Sequence, residues 1–254
     1  MKLPMRKKSS GFTLIEVVTV IVILGVLSAA TTSFIRLSTQ IFSETTARDQ
    51  LISSARFAIE RLNREVRNAL PNSLLLSESG KCLEFTPIIE STIYTDIPVA
   101  PEMPTDKIKV IQFMKELDSN WHAIVYPLTP RDVYPLTPSN TDKTHAVNSI
   151  DKTGDEWVIT LNNNVLFSEH SPTKRLYLIN VIEGEVQTVR YCLNNERLTR
   201  NNILMAQDIS HTKSSFEVEV ATLERNGLVR VHFQFEKNSE KITFTNEIQV
   251  LNVP

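Results

Sequence analysis

Gly11-Phe12-Thr13-Leu14-Ile15-Glu16 is the stretch on which the reading of this chain turns. Four cationic side chains (Lys2, Arg6, Lys7 and Lys8) precede it, and between Phe12 and Ile35 the only ionisable side chain is Glu16. Residues 12 to about 31 supply the twenty or so apolar positions that a bilayer crossing requires. A carboxylate near the start of such a segment is costly in lipid, and a residue retained at that cost is read as functional. An ordinary secretory signal is the bland alternative, because Ser28-Ala29-Ala30 imitates a small-residue cleavage site. A cut there would discard Glu16, and an apolar signal region has no use for a carboxylate in its first turn. A plain single-span anchor is the other alternative.

All six residues of Gly11–Glu16 match the cleavage and methylation motif of type IV prepilins, and the N terminus resembles that family. The resemblance implies that a prepilin peptidase cuts between Gly11 and Phe12 and methylates the new N-terminal Phe12. It implies that Glu16 serves subunit assembly. The cations before the motif hold the N terminus in the cytoplasm by the positive-inside rule, so the remainder is expected in the periplasm, anchored in the inner membrane through residues 12–35. Residues 1–11 are then a leader, 12–35 a transmembrane and assembly helix, 36–71 its amphipathic continuation, and 72–254 a β-rich periplasmic domain.

No proline interrupts the helical pattern until Pro71, so a single helix is expected from Phe12 to Leu70. Gly25 and Thr31-Thr32-Ser33 are its weakest points by propensity. Ile52, Ala55, Ile59, Leu62, Val66 and Ala69 recur at spacings of three and four, one apolar face at helical period. Arg48, Arg56, Glu60, Arg61, Arg64, Glu65 and Arg67 crowd the other faces, with Glu60 and Arg64 at a favourable i, i+4 spacing. The charge run reads as a solvated face, or, more sharply, as one where Arg61, Arg64 and Arg67 meet acidic groups on neighbouring subunits.

From Leu74 the pattern turns strand-like: Leu74–Leu76, Cys82–Ile89, Ile108–Met114 and Trp121–Tyr126. Val125-Tyr126-Pro127-Leu128-Thr129-Pro130 then recurs as Val133-Tyr134-Pro135-Leu136-Thr137-Pro138. The prolines favour extended, polyproline-like backbone. This is either a local duplication in a tolerant surface loop or a partner-binding loop with two exposed tyrosines. Residues 127–155 read as one long excursion that includes the turn cluster Ser139–Asp142. Trp157–Leu161, Arg175–Ile182 and Glu185–Leu193 follow as strands, with Glu183-Gly184 as a hairpin turn and Glu196–Arg200 as a short strand. The alternating runs around Phe216, Val231 and Ile242 read as a meander, with Asn226-Gly227 as its hairpin signal. The expected fold class is α+β: a long N-terminal helix packed on an antiparallel sheet, as in type IV pilins.

Cys82 and Cys192 both sit in strand-like settings. An oxidising periplasm permits a disulfide between them, worth roughly 4–5 kcal/mol in the chain-entropy model; two buried free thiols are the alternative. The five histidines (His122, His145, His170, His211 and His232) are scattered, and no H-E-x-x-H, G-x-S-x-G or phosphate-binding glycine loop is present. Asp151, Asp155 and Glu156 do not match the EF-hand spacing. Neither an enzyme, a metal nor a cofactor is expected. Net charge is −2, falling to about −6 without the leader's cations, and nothing suggests a clustered basic face for nucleic acid.

The large soluble portion and widely separated cysteines resemble a minor pilin more than a major one. Arg61–Ser73, Cys82–Phe85, Ser171–Tyr177 and Val189–Cys192 resemble the MshO family of MSHA pilus biogenesis proteins; the J-type minor pseudopilins of type II secretion are the nearest competitor. Other minor and major pilins, the inner-membrane assembly platform and the prepilin peptidase are the partners this resemblance implies.

Overall fold

A computed structural model describes residues 11–114, 120–134, 143–221, 226–237 and 240–250. The leader before Gly11, most of the second repeat copy (Pro135–Pro138) and the turn cluster Ser139–Asp142 lie outside the described residues. The chain divides between Asp49 and Gln50 into two units, taken in turn.

Helix α1 runs from Leu14 to Arg67 and so belongs to both units. From Leu14 to Ile35 it has no interior and no polar face, and Ala47 is the first buried side chain along it. Every large apolar side chain from Phe12 to Phe42 is exposed. The weak points at Gly25 and Thr31–Ser33 do not break it. The Thr31 hydroxyl donates to the Leu27 carbonyl (2.9 Å) and the Thr32 hydroxyl to the Ser28 carbonyl (2.8 Å), so these polar groups are satisfied inside the helix itself. By length and composition the helix is able to cross a membrane.

In the second unit α1 is amphipathic. Its buried line is Leu51, Ala55, Ala58, Leu62 and Val66, and Ala69 is buried just past its end. Ile52 and Ile59, expected in that line, sit on its shoulders, only partly buried. The small Ala58 is fully buried in the core, and the larger Ile59 packs against it only partly buried. The helix ends as Pro71 requires. Asn72 takes a left-handed φ of 58°, and the Ser73 hydroxyl donates to the Leu70 carbonyl at 2.7 Å.

Two antiparallel sheets share this helical face. The first has the order β1 (Leu75–Ser77), β2 (Cys82–Phe85), β10 (Val189–Asn194), β11 (Arg197–Arg200) and β12 (Ile203–Gln207). The second is the expected meander: β13 (Ser215–Glu219), β14 (Leu228–Lys237) and β15 (Glu240–Gln249). Phe85, Tyr191, Phe216, Phe233 and Phe235 fill the core between the helix and the strands. The α+β class is as read, with several sheets in place of one.

Tight turns set much of the register. Asn194 opposes Arg197 and Arg200 opposes Ile203, which leaves two-residue loops at Asn195-Glu196 and Asn201-Asn202. All four loop residues have positive φ, the requirement of type I′ turns that asparagine meets at low cost. The expected turn at Asn226-Gly227 is not a two-residue hairpin. Glu219 opposes Leu228, so the connection there is eight residues long. The Gly227 carbonyl instead accepts from the Val250 N–H, continuing the pairing of β14 with β15.

Residues 86–188, between β2 and β10, build something separate. They contain β3 (Glu90–Asp96), β4 (Thr105–Ile111), β5 (Trp121–Val125), the one-turn helix α2 (Pro130–Val133), β6 (Thr144–Asp151), β7 (Glu156–Val165), β8 (Arg175–Ile182) and the short β9 (Glu185–Val186). Strand β3 pairs with β8 through Glu90–Ile93 and with β4 through Tyr94 and Asp96. Strand β6 pairs with β5 through Thr144–Ala146 and with β7 through Val147–Asp151. The order β3-β4-β7-β6-β5-β8 therefore returns to β3, a closed antiparallel barrel of six strands with its corners at β3 and β6. Tyr94, Trp121, Ile159, Phe167 and Leu178 are among the side chains that fill it.

The barrel corrects the reading of residues 127–155 as one excursion. Its last part is β6, a full barrel strand, whose sequence carries only Val147 and Ile150 as large apolar residues because its other face meets water. Pro130–Val133 is helical, with the Asp132 carboxylate accepting from the N–H groups of Leu128 (2.8 Å) and Thr129 (2.9 Å). Tyr134 is not an exposed ring. Its hydroxyl donates to the Ser73 carbonyl at 2.9 Å and lies 2.8 Å from the Thr86 hydroxyl, and burial pushes its pKa up to about 12. The strand expected over Cys82–Ile89 stops at Phe85, where Pro87 turns the chain out of the first sheet, and the polar β3 and the short β12 were not legible as strands.

Candidate processing and assembly site

Gly11, Phe12 and Thr13 form the non-helical lead into α1, and all three are exposed. Thr13 occupies the N-cap. The Glu16 N–H donates to the Thr13 carbonyl (3.2 Å) and lies 3.4 Å from its hydroxyl oxygen. Threonine at the cap with glutamate three residues on is the spacing of a capping box. It puts the only acidic residue of the first turn at the positive end of the helix dipole. Leu14 and Ile15, at 84% and 69% exposure, flank a carboxylate that no other part of the described chain covers.

Among the described residues nothing requires a glycine at position 11. A Cβ built on Gly11 meets nothing within 4 Å, and its backbone is not in the left-handed region. A requirement for glycine at this position must therefore come from something that handles the chain from outside.

The structure brings Cys82 and Cys192 together. They oppose one another directly on β2 and β10, 4.2 Å apart at Cα, and form a disulfide. By contrast, Asp151 is occupied locally, accepting from the Thr153 N–H (2.9 Å) and hydroxyl (2.6 Å). Among the described residues no group of His, Cys, Asp and Glu is placed to hold a metal ion. His145 opposes Ala123, so it and His122 fall on opposite faces of the β5–β6 pair, while His232 lies in β14, 3.3 Å from the Thr245 hydroxyl.

Most of the helical charge run is solvated, as read: Arg48, Arg56, Glu60, Arg64 and Arg67 are exposed. Among the described residues Glu60 and Arg64 make no ion pair with each other. Glu65 is the centre instead. Its carboxylate accepts from Arg200 (2.8 Å), from Tyr191 (2.8 Å) and from Arg61 (3.0 Å), tying α1 to β10 and β11. Burial pushes the Glu65 carboxyl up, but the bonds from Arg200, Arg61 and Tyr191 outweigh it and hold it below the usual carboxylate range. The available signal was its place on the wheel, next to Val66 and one turn from Leu62, on the shoulder of the buried line.

Residues 6–32 match the family model of the prokaryotic N-terminal methylation motif. The N terminus is that of a type IV pilin-like protein. The motif implies processing by prepilin peptidase and assembly with other pilins, and proteins that carry it are structural pilins rather than enzymes. The exposed apolar helix and the motif together fit a membrane-anchored pilin. No curated protein and no solved structure matches the chain.

Proposed function

We propose that this chain is a minor pilin of a type IV pilus of the MSHA kind, taking part in initiation and assembly of the fibre. The observation that carries the reading is the complete Gly11–Glu16 motif on an exposed apolar helix that continues into the core of a β-rich domain. The unprocessed subunit waits in the inner membrane with residues 12–35 in lipid, residues 1–11 cytoplasmic and residues 72–254 periplasmic. Cleavage after Gly11 removes the cationic leader and frees the amine of Phe12, which is then methylated. In the fibre Glu16 pairs with the Phe12 amine of a neighbouring subunit. Leaving either charge unpaired in an apolar fibre core costs roughly 3–5 kcal/mol, so the pairing selects register as well as attachment. The size of the soluble part and the wide Cys82–Cys192 spacing favour a minor subunit.

Deletion of the gene, followed by counting surface pili and assaying protein export, tests the reading. Loss of pili with export intact is the expected result. Lost export with normal pili identifies instead a J-type pseudopilin of a secretion system, and normal pili with lost attachment identifies a tip adhesin.

A further inference from the structure

Three apolar cores lie in the unit that begins at Gln50, and the two largest share no residue. Every member of the helix-and-sheet core precedes Thr86 or follows Thr188. Every member of the barrel core lies between Tyr94 and Leu178. The joint between them is the third core, in which Leu70 is the one buried member, among the described residues, from outside 86–188; it packs with Ile88, Ile124, Val133, Tyr177, Ile179 and Val181. Leu70 lies three residues past α1, and hydrogen bonds cross the joint beside it from Asn68 to the Ile88 carbonyl, from Asn72 to the Pro127 carbonyl, and from the Tyr134 hydroxyl and the Thr86 N–H to Ser73.

The neck is equally well defined. Phe85 opposes Val189, so β2 and β10 are neighbours in the first sheet and the whole barrel is inserted between them. The disulfide joins these two core strands and touches no barrel strand. The barrel closes on itself through β3 and β8, so it leaves the core no ring position to complete.

We propose that residues 86–188 form an autonomous inserted domain, displayed by a pilin-like core that is complete without it. The word "displayed" rests on the reading of the chain as a fibre subunit; the autonomy does not. Assembly contacts then belong to the core, and the barrel is the part free to meet something other than the fibre.

Both tryptophans of the chain, Trp121 and Trp157, lie in the barrel, so their fluorescence reports on it alone. Hydrogen exchange of peptides from β2, β10 and β14 reports on the core. In a urea titration of the full chain in detergent micelles, Leu178→Ala is expected to lower the tryptophan midpoint by about 1–2 M without moving the core peptides. Phe233→Ala and Cys192→Ala are expected to do the reverse. Midpoints that coincide and move together in all three variants overturn the proposal. A second chain replaces residues 86–188 by an Asn-Gly turn and carries Leu70→Ser, removing the apolar side chain that the barrel covers. It is expected to form the Cys82–Cys192 bond and keep core protection, and a reduced, unprotected core overturns the proposal. In cells, incorporation of this excised subunit into fibres supports display. A full chain that is incorporated beside a folded excised chain that is not overturns it. If the full chain itself is never incorporated, the pilin reading fails, and the urea midpoints still decide autonomy.

Discussion

The two parts of α1 obey the same local rules and meet opposite fates. From Leu14 to Ile35 the helix shows apolar side chains on every side, all of the large ones exposed. After Gln50 it shows one buried apolar line, with Ile52 and Ile59 on its shoulders and mostly polar or charged side chains elsewhere, Phe57 excepted. A Val, Leu, Ile or Phe side chain gains about 1.5–3 kcal/mol on burial. The second part collects that gain inside its own chain. The first can collect it only from lipid or from other subunits, so its sequence is a statement about an environment that the chain does not provide.

The comparison can be broken at its start. Gly11→Val is expected to abolish processing altogether while leaving the fold unchanged, since space is open around Gly11. N-terminal sequencing that still finds mature Phe12 would end the prepilin reading. Glu16→Ala comes next. It is expected to be cut and methylated normally yet to lose roughly 3–5 kcal/mol of assembly free energy, read as near absence from sheared fibres; wild-type incorporation removes the charge-pairing role.

In the second part the largest effect is on stability. Leu62→Ala should cost about 2–5 kcal/mol by leaving a cavity under the sheets, measured as a lowered urea midpoint. Glu65→Gln should cost less, about 1–2 kcal/mol, because Glu65 and Arg200 each keep about a fifth of their side-chain surface in water. Its pH dependence has a definite sign. The folded carboxyl titrates below the usual range, so its contribution is complete above the ordinary carboxylate pKa and is lost as pH falls through the depressed one. Wild type and variant should therefore converge in acid, and a gap that widens there would contradict the network. Ile23→Ala is the smallest change, within about 0.5 kcal/mol for the β-rich unit, because this side chain touches none of its core.

Much of this was legible before any coordinates. The helix was expected over Phe12–Leu70 and spans Leu14–Arg67. Arg175–Ile182 has the bounds read from its apolar run, and Glu183-Gly184 makes the expected turn. These succeed because local chemistry decides them: an unbroken helical pattern, a buried strand, a glycine where φ must be positive. The misses share a different cause. Strands β3 and β6 are polar on one face and bent at barrel corners, so neither alternation nor an apolar run marks them. Asn201-Asn202 turned the chain without glycine, whereas Asn226-Gly227, the stronger local signal, was overruled by the pairing of Glu219 with Leu228.

The sequence by itself determined the helix, the placement of Glu16 in its first turn and the type IV pilin-like character of the N terminus. All of these depend on residues within a few positions of one another. Only the tertiary structure decided that Cys82 faces Cys192, that Glu65 gathers Arg61, Tyr191 and Arg200, and that residues 86–188 close into a barrel. Each of those joins residues that lie mostly far apart in the chain. Their meeting is fixed by which strands pair, and strand pairing is a choice among long-range partners that no local pattern encodes.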